Sequence, residues 1–314
     1  MKNYSFDFYN AANLKAYNLN DTMRYQLSIL DRMDPITKKH SESVANLVCR
    51  ICEYLGFNWQ ATIHSTMNAY LHDVGKLAIP PEIINKPGKL NEEEFAIMKS
   101  HTLKGHAICM KDINLRPYSD GALYHHEALN GTGYPNGVTK KDIPFVAQII
   151  RVADEYDAIT AKRQYKTHVD ISETLKILIK ETKPEENLKL VALDHLNTDR
   201  KLGKINPRIL KILFKVVIDD IIYEIACIYE YMDYLKSEIK RLEAVEKYFI
   251  KMQNAKKEKD KNYFLEGIKF MLSQGETVEN FHNVLNEYIN AYKAKEEVVA
   301  KLNKEIKIIK KLKV

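Results

Sequence analysis

Leu71-His72-Asp73-Val74-Gly75-Lys76 decides how the rest of this chain is read. His72 and Asp73 set an imidazole beside a carboxylate, a nitrogen and an oxygen donor that together suit a borderline or hard divalent metal. Lys76 stands one helical turn further on, where it can meet an anion held by such a metal. A His-Asp pair on a helix is a weak signal by itself, because surface hydrogen bonds use the same two residues. Its weight comes from the other pieces of a two-metal centre, which follow in a consistent order.

Outward from that stretch the hydrophobic period is helical. Upstream, Thr37 offers an N-cap to the apolar run Val44, Leu47, Val48, Ile51 and Leu55, which stops at Gly56; His40 falls in the first turn. The helix leading into His72-Asp73 starts near Asn58 and breaks at Ile79-Pro80-Pro81. Downstream, Asn91 caps a helix opened by Glu92-Glu93-Glu94, with His101 and His106 near its end on different faces. Tyr124-His125-His126-Glu127 then leads into Asn130-Gly131-Thr132-Gly133-Tyr134-Pro135-Asn136-Gly137, an ordered loop of special backbone geometry. Asp142, as cap, and Pro144 predict a helix that carries Asp154 and Asp157 and ends near Arg163. Residues 181 to 202 read as a polar connection, and Asn206-Pro207 opens the last long helix.

With only 11 Gly and 9 Pro in 314 residues, and long Lys/Glu/Leu/Ile/Tyr segments, the chain is predicted to be all-α. Its net charge of +6 is small for that length and lies largely in the lysine-rich C-terminal third, which gives no support to duplex nucleic acid as a partner. Cys49, Cys52, Cys109 and Cys227 do not make a disulfide framework. Cys49-Arg-Ile-Cys52 sits in an apolar helical pattern without a βαβ unit, so packed thiols are expected. No secretory leader is visible at Met1 to Asn10. The most apolar run, Ile209 to Met232, is interrupted by charges such as Lys211, Lys215, Asp219 and Glu224 and cannot span a bilayer. A cytoplasmic location with no membrane span is expected.

From Ile218 a heptad seam runs through Ile221, Ile225, Ile228, Met232, Leu235, Ile239 and Leu242, then slips to Val245, Phe249 and Met252. A second seam, Phe281, Leu285, Tyr288, Tyr292, Val299, Leu302, Ile306 and Ile309, follows Gly275. A helical hairpin folding on itself and an arm for a homodimer or protein partner fit these seams equally. The predicted organisation is an N-terminal helical extension over 1–33, a central domain over 34–214 and a C-terminal hairpin or coiled-coil-like arm over 215–314.

Five histidines (His40, His72, His101, His125, His126) and two aspartates (Asp73, Asp154) fall on successive predicted helices. Packed around one core they would bury charge at several kcal/mol per uncompensated ion, roughly, a penalty that divalent metals remove. At this point the chain resembles the HD-GYP family, the branch of the HD phosphohydrolases that degrades cyclic di-GMP. The resemblance is carried by His40-Ser41 with Val44-Ala45, by Leu71 to Lys76 with Ile79-Pro80, and by Lys86-Pro87-Gly88-Lys89-Leu90. It continues through His101 with Gly105, His125-His126-Glu127 with Gly131, Gly133-Tyr134-Pro135 and Gly137, then Ile143-Pro144, Val152 to Ala158, Arg163 and Tyr165.

The resemblance implies a metal-dependent phosphodiesterase that hydrolyses cyclic di-GMP to linear pGpG, or onward to GMP, with a hydroxide bridging a binuclear centre. One ion would take His40, His72, Asp73 and Asp154; the second would share Asp73 and take His101, His125 and His126. Lys76 would neutralise a phosphate oxygen or assist the leaving 3′ oxygen, and Arg163 and Lys166 would contact the substrate's phosphates. Gly133-Tyr134-Pro135 would be the signature loop, a structural or partner-docking element. Family members with three metals carry a glutamate where this chain has Ile36, which implies two ions here, and Asn130 replaces an aspartate common before the loop. The resemblance favours iron or manganese, and zinc also suits the donor set. Base-selecting residues are not legible, so 3′,3′-cGAMP is an alternative substrate. A non-hydrolysing cyclic di-GMP sensor signalling through the arm is the alternative of another class. His64, His106, His168, His195 and His282 match no ligand position.

Overall fold

Asp34-Pro35 starts the helix that carries the first histidine, α1 (Pro35–Leu55). Asp34 accepts the Thr37 backbone N–H at 2.9 Å, and Pro35 takes the first helical position, where its missing N–H costs nothing. Thr37 is therefore inside the helix and not its cap, and His40 lies in the second turn. Gly56 closes α1 in left-handed backbone at φ 78°. The structure is a computed structural model that describes residues 27–164, 171–184 and 202–314, with side chains for all of these but 161–164. Among the described residues it holds no strand, only an isolated bridge between Asn130 and Thr139, and the all-α expectation holds.

Asn58 caps α2 (Trp59–Leu71), which packs along α1 over Val44, Val48, Ile51, Met67 and Leu71, all fully buried. This helix stops at Leu71 and does not run on to Ile79: Val74–Ala78 forms a 3-10 turn, followed by the short α3 (Pro81–Ile84). Asn91 and Glu94 make a capping box for α4 (Glu92–Lys99). The chain then breaks at Ser100, so that His101 opens a separate helix, α5 (His101–Lys111), and does not end the one before. After α6 (Ser119–Tyr124), α7 (Phe145–Gln164) crosses α1 and α6. Asp142 does not cap it. The Asp142 N–H is spent in a turn on Thr139 O, and Pro144 O accepts the first helical N–H groups, those of Ala147 and Gln148. α8 (Ile171–Glu181) packs on α7, and Pro207 opens α9 (Pro207–Asn254).

Two glycines set the spacing around the end of α2. A Cβ on Gly75 would stand 1.9 Å from the His101 carbonyl oxygen and 2.5 Å from the Gly105 nitrogen, so only glycine lets the 3-10 turn lie against α5. Gly121 does the same between α6 and α2: its N–H bonds Asn68 Oδ1 at 2.8 Å, and a Cβ would stand 2.5 Å from Asn68 O.

The chain forms two compact units, Met1–Ile218 with Lys311–Val314, and Asp219–Lys310. In the second, α9, α10 (Glu258–Met271) and α11 (Phe281–Ile309) enclose Leu242, Val245, Ile268, Phe281 and Leu285. Arg241 grips Glu276 with two bonds of 2.7 Å and donates to Met271 O. The helix α10 lies between the two seams and was not expected, because its few inward apolar residues, Phe264, Ile268 and Met271, are too short a run to register as a seam. Residues 1–26 of the expected N-terminal extension, and 185–201 of the polar connection, lie outside the described residues. Leu27–Arg32 is a 3-10 turn that buries Leu27 and Leu30.

Cys49, Cys52 and Cys109 are buried, and burial pushes each thiol up to about 12, as packed thiols require. Among the described residues no helix is long and apolar enough to cross a membrane.

Two outcomes follow. Gly75→Ala is expected to cost about 1–3 kcal/mol through overpacking, read as a lower midpoint in denaturant unfolding. A thiol-reactive dye should label exposed Cys227 rapidly in the native protein and reach the other three cysteines only after unfolding.

Candidate metal centre

Asp73 is 2% exposed, and its two oxygens look in different directions. Oδ2 lies 3.4 Å from His72 Nε2 and 3.8 Å from His40 Nε2, and accepts a hydrogen bond from Lys76 Nζ at 2.6 Å. Oδ1 lies 3.4 Å from His101 Nε2 and 3.9 Å from His125 Nε2 and has no hydrogen-bond partner. Burial opposes ionisation here, yet the Lys76 ammonium holds the carboxyl well below the usual carboxylate range.

The last turn of a helix leaves carbonyls without intrahelical partners. Three histidines donate to carbonyls of such last turns. His72 Nδ1 donates to Ala69 O at the end of α2 at 2.7 Å, His101 Nδ1 to Met98 O at the end of α4 at 2.7 Å, and His125 Nδ1 to Gly121 O in α6 at 2.8 Å. A carbonyl only accepts, so each Nδ1 carries a proton, which leaves Nε2 as the atom each ring aims inward and the one that can offer a lone pair to a metal. His101 Nε2 and His125 Nε2 consequently face each other at 3.1 Å. Burial holds both imidazoles below their ordinary range, so no proton joins them.

On the opposite side His40 Nε2 lies 3.0 Å from Asp154 Oδ1, while its Nδ1 lies 2.7 Å from Asp157 Oδ2. Burial alone would lower the proton affinity of His40, but Asp154 and Asp157 outweigh it and push the imidazole up to about 10. A nitrogen held among carboxylates this firmly is equally suited to a cation. Asp154 also reaches toward His126, whose Nδ1 is 4.0 Å from its Oδ2.

The ligand atoms of His40, His72 and Asp73 lie within 4.8 Å of one another, as do those of His101, His125 and His126. Donors around one divalent ion at about 2.1 Å stand roughly 3.0–3.4 Å apart. That is the range of the His40–Asp154, His101–His125, His72–Asp73 and His101–Asp73 separations. His72 Nε2 and Asp73 Oδ1 are buried polar atoms with no partner in the protein. The donor set has more inward lone pairs than protons, and it fits divalent metals.

The glycine-rich loop is fastened behind this cluster. Glu127 Oε1 accepts the Asn136 and Gly137 N–H groups at 2.7 and 3.1 Å, and Arg151 Nη1 donates to His126 O at 2.8 Å. A Cβ on Gly133 would stand 2.3 Å from Ala128 N, and the Tyr134 ring stacks on His126 with centroids 4.7 Å apart; Pro135 follows through a cis peptide bond. Ile36, at the position of the family's extra glutamate, is 77% exposed. Arg163 lies in the last turns of α7 with its side chain outside the described residues, and Lys166 is outside them altogether, as are His168 and His195. His64 bonds Pro117 O and is not among the clustered ligands, and His282 packs on Phe281 within the second unit. Asp157 and Ser43, whose hydroxyl donates to Asp157 Oδ1, were given no role from sequence. The available signal was spacing: Asp157 is one turn from Asp154, and Ser43 one turn from His40.

Residues 24–185 match the HD domain family. Over 145 residues, 46% of this chain, it is 39% identical to a cyclic di-GMP phosphodiesterase of Thermotoga maritima. Over 160 residues, 51% of the chain, it is 37% identical to a 3′3′-cGAMP-specific phosphodiesterase of Vibrio cholerae. These matches span 39% and 34% of the two relatives, so the chain covers well under half of either. A solved HD-type protein of Bdellovibrio bacteriovorus is 22% identical with a TM-score of 0.43, covering 66% of this chain and 61% of that one.

Asp73→Ala is expected to remove bound metal from both halves of the cluster together, measured by elemental analysis of the desalted protein. Unchanged metal content would contradict a shared Asp73.

Proposed function

Because the chain belongs to the HD domain family, we propose that it is a metal-dependent phosphodiesterase that hydrolyses cyclic di-GMP to linear pGpG. The observation that carries this reading is Asp73, one buried carboxylate whose oxygens face two separate groups of histidines. His40, His72, Asp73 and Asp154 would hold one divalent ion, and Asp73, His101, His125 and His126 the other, with iron or manganese the best suited. When bound, such a pair supplies Lewis acidity toward phosphoryl oxygen and activates water at neutral pH.

The chain's own residues supply the rest. Burial lowers the proton affinity of Lys76, but its partner Asp73 raises it above the usual lysine value, so the ammonium stays charged. There it neutralises a phosphate oxygen or gives a proton to the leaving 3′ oxygen. Arg163 offers a bidentate fork to a second phosphate, and Lys166 a point charge. Tyr134, stacked on His126, holds that imidazole in plane. Residues 34–214 carry this chemistry, and 215–314 is the part we assign to a second copy or a protein partner. Buried free thiols suit a reducing compartment such as the cytoplasm.

The similarity to a 3′3′-cGAMP-specific enzyme favours that nucleotide as a second reading. Metal-loaded protein should convert cyclic di-GMP to pGpG faster than it opens 3′,3′-cGAMP, measured by chromatography of the products; the reverse order would exchange the two substrates. Lys76→Ala should keep its metal and lose roughly 100-fold or more in turnover. Binding of cyclic di-GMP by metal-replete protein with no linear product would replace the enzyme with a sensor.

A further inference from the structure

Resting on the two-ion reading above, we infer that Asp157 is a positioning residue that makes the two metal positions unequal, the His40 position binding the more tightly. Among His40, His72, His101 and His125, His40 alone has a carboxylate behind its ring: Nδ1 stands 2.7 Å from Asp157 Oδ2. The other three rest on the carbonyls of Ala69, Met98 and Gly121. A carboxylate carries a full charge where a carbonyl carries a partial one, so it raises the basicity of the opposite ring nitrogen further.

Asp157 is itself held in place. Ser43, one turn beyond His40 on α1, donates its hydroxyl to Asp157 Oδ1, so both carboxylate oxygens are engaged. The remaining charges act in the same direction. His40 Nε2 has Asp154 at 3.0 Å and Asp73 at 3.8 Å. The three-histidine half has Asp73 Oδ1 at 3.4 and 3.9 Å and Asp154 no nearer than 4.0 Å. The half with more anionic charge and the more basic imidazole fills first.

Metal-free protein titrated with Mn2+, with free ion counted by electron paramagnetic resonance, should bind in two steps. His126→Ala should remove the weaker step and spare the tighter. Asp157→Asn retains an acceptor for the His40 Nδ1–H but removes the charge, and should weaken the tighter step about 10- to 100-fold while leaving the weaker unmoved. Equal weakening of both steps, or of neither, would overturn the assignment. Should Asp157→Asn fail to fold, Ser43→Ala frees one Asp157 oxygen and should weaken the same step by a smaller factor; a loss confined to the weaker step overturns it. The titration uses no substrate. A protein that cleaves no cyclic dinucleotide yet loses its tighter step in Asp157→Asn would therefore support this role while sinking the phosphodiesterase reading.

Discussion

Removing a carboxylate from water is the most expensive act in this fold, and Asp73 is the residue on which it falls. A buried ionised carboxylate costs several kcal/mol, roughly, unless its charge is answered locally. Lys76 answers one oxygen directly at 2.6 Å. The other oxygen meets only imidazole nitrogens whose protons are committed elsewhere, so nothing in the protein completes it. Around Asp73 the chain therefore gathers electron pairs faster than protons, and that imbalance makes the cluster a cation site instead of a hydrogen-bond network.

Convergence of residues so far apart in sequence depends on backbone meeting backbone. Gly75 brings the turn after α2 against α5, Gly121 brings α6 against α2, and Gly133 brings the glycine-rich loop against the turn after His126. Each contact lies within two or four residues of a candidate ligand, so a methyl group at any of them displaces the ligand along with the helix. Close packing and chemistry are coupled at these points in a way they are not in the second unit. There Arg241, Glu276 and the Leu242–Phe281 core hold three helices together with no group of candidate metal ligands among the described residues.

Much of this was readable in advance from local rules. The apolar period and Gly56 gave α1 its course and its end, Asn58 and Asn91 announced two helix starts, and the order His-Asp, His, His-His, Asp pointed to one polar centre. What escaped was of two kinds. Asp157 bonds the candidate ligand His40 from outside the cluster and Ser43 bonds Asp157, and a one-turn spacing on separate helices does not say that the helices cross. The helix α10 owes its place to tertiary packing of a few apolar residues, which no periodic run of its own declares.

The misread helix ends have a single cause that also explains the chemistry. Neither Leu71 nor Lys99 is followed directly by glycine, asparagine or proline, the residues that ordinarily mark a helix stop, so the sequence pattern runs through both. In each case a histidine sits at the stop and gives its Nδ1 proton to a carbonyl of the last turn. His125 does so again at the end of α6. That one hydrogen bond sits at the helix end, commits the Nδ1 proton and points Nε2 at Asp73. The positions where helix-stop rules fail are thus the positions where a candidate ligand sits at the stop, and the failure itself marks the site.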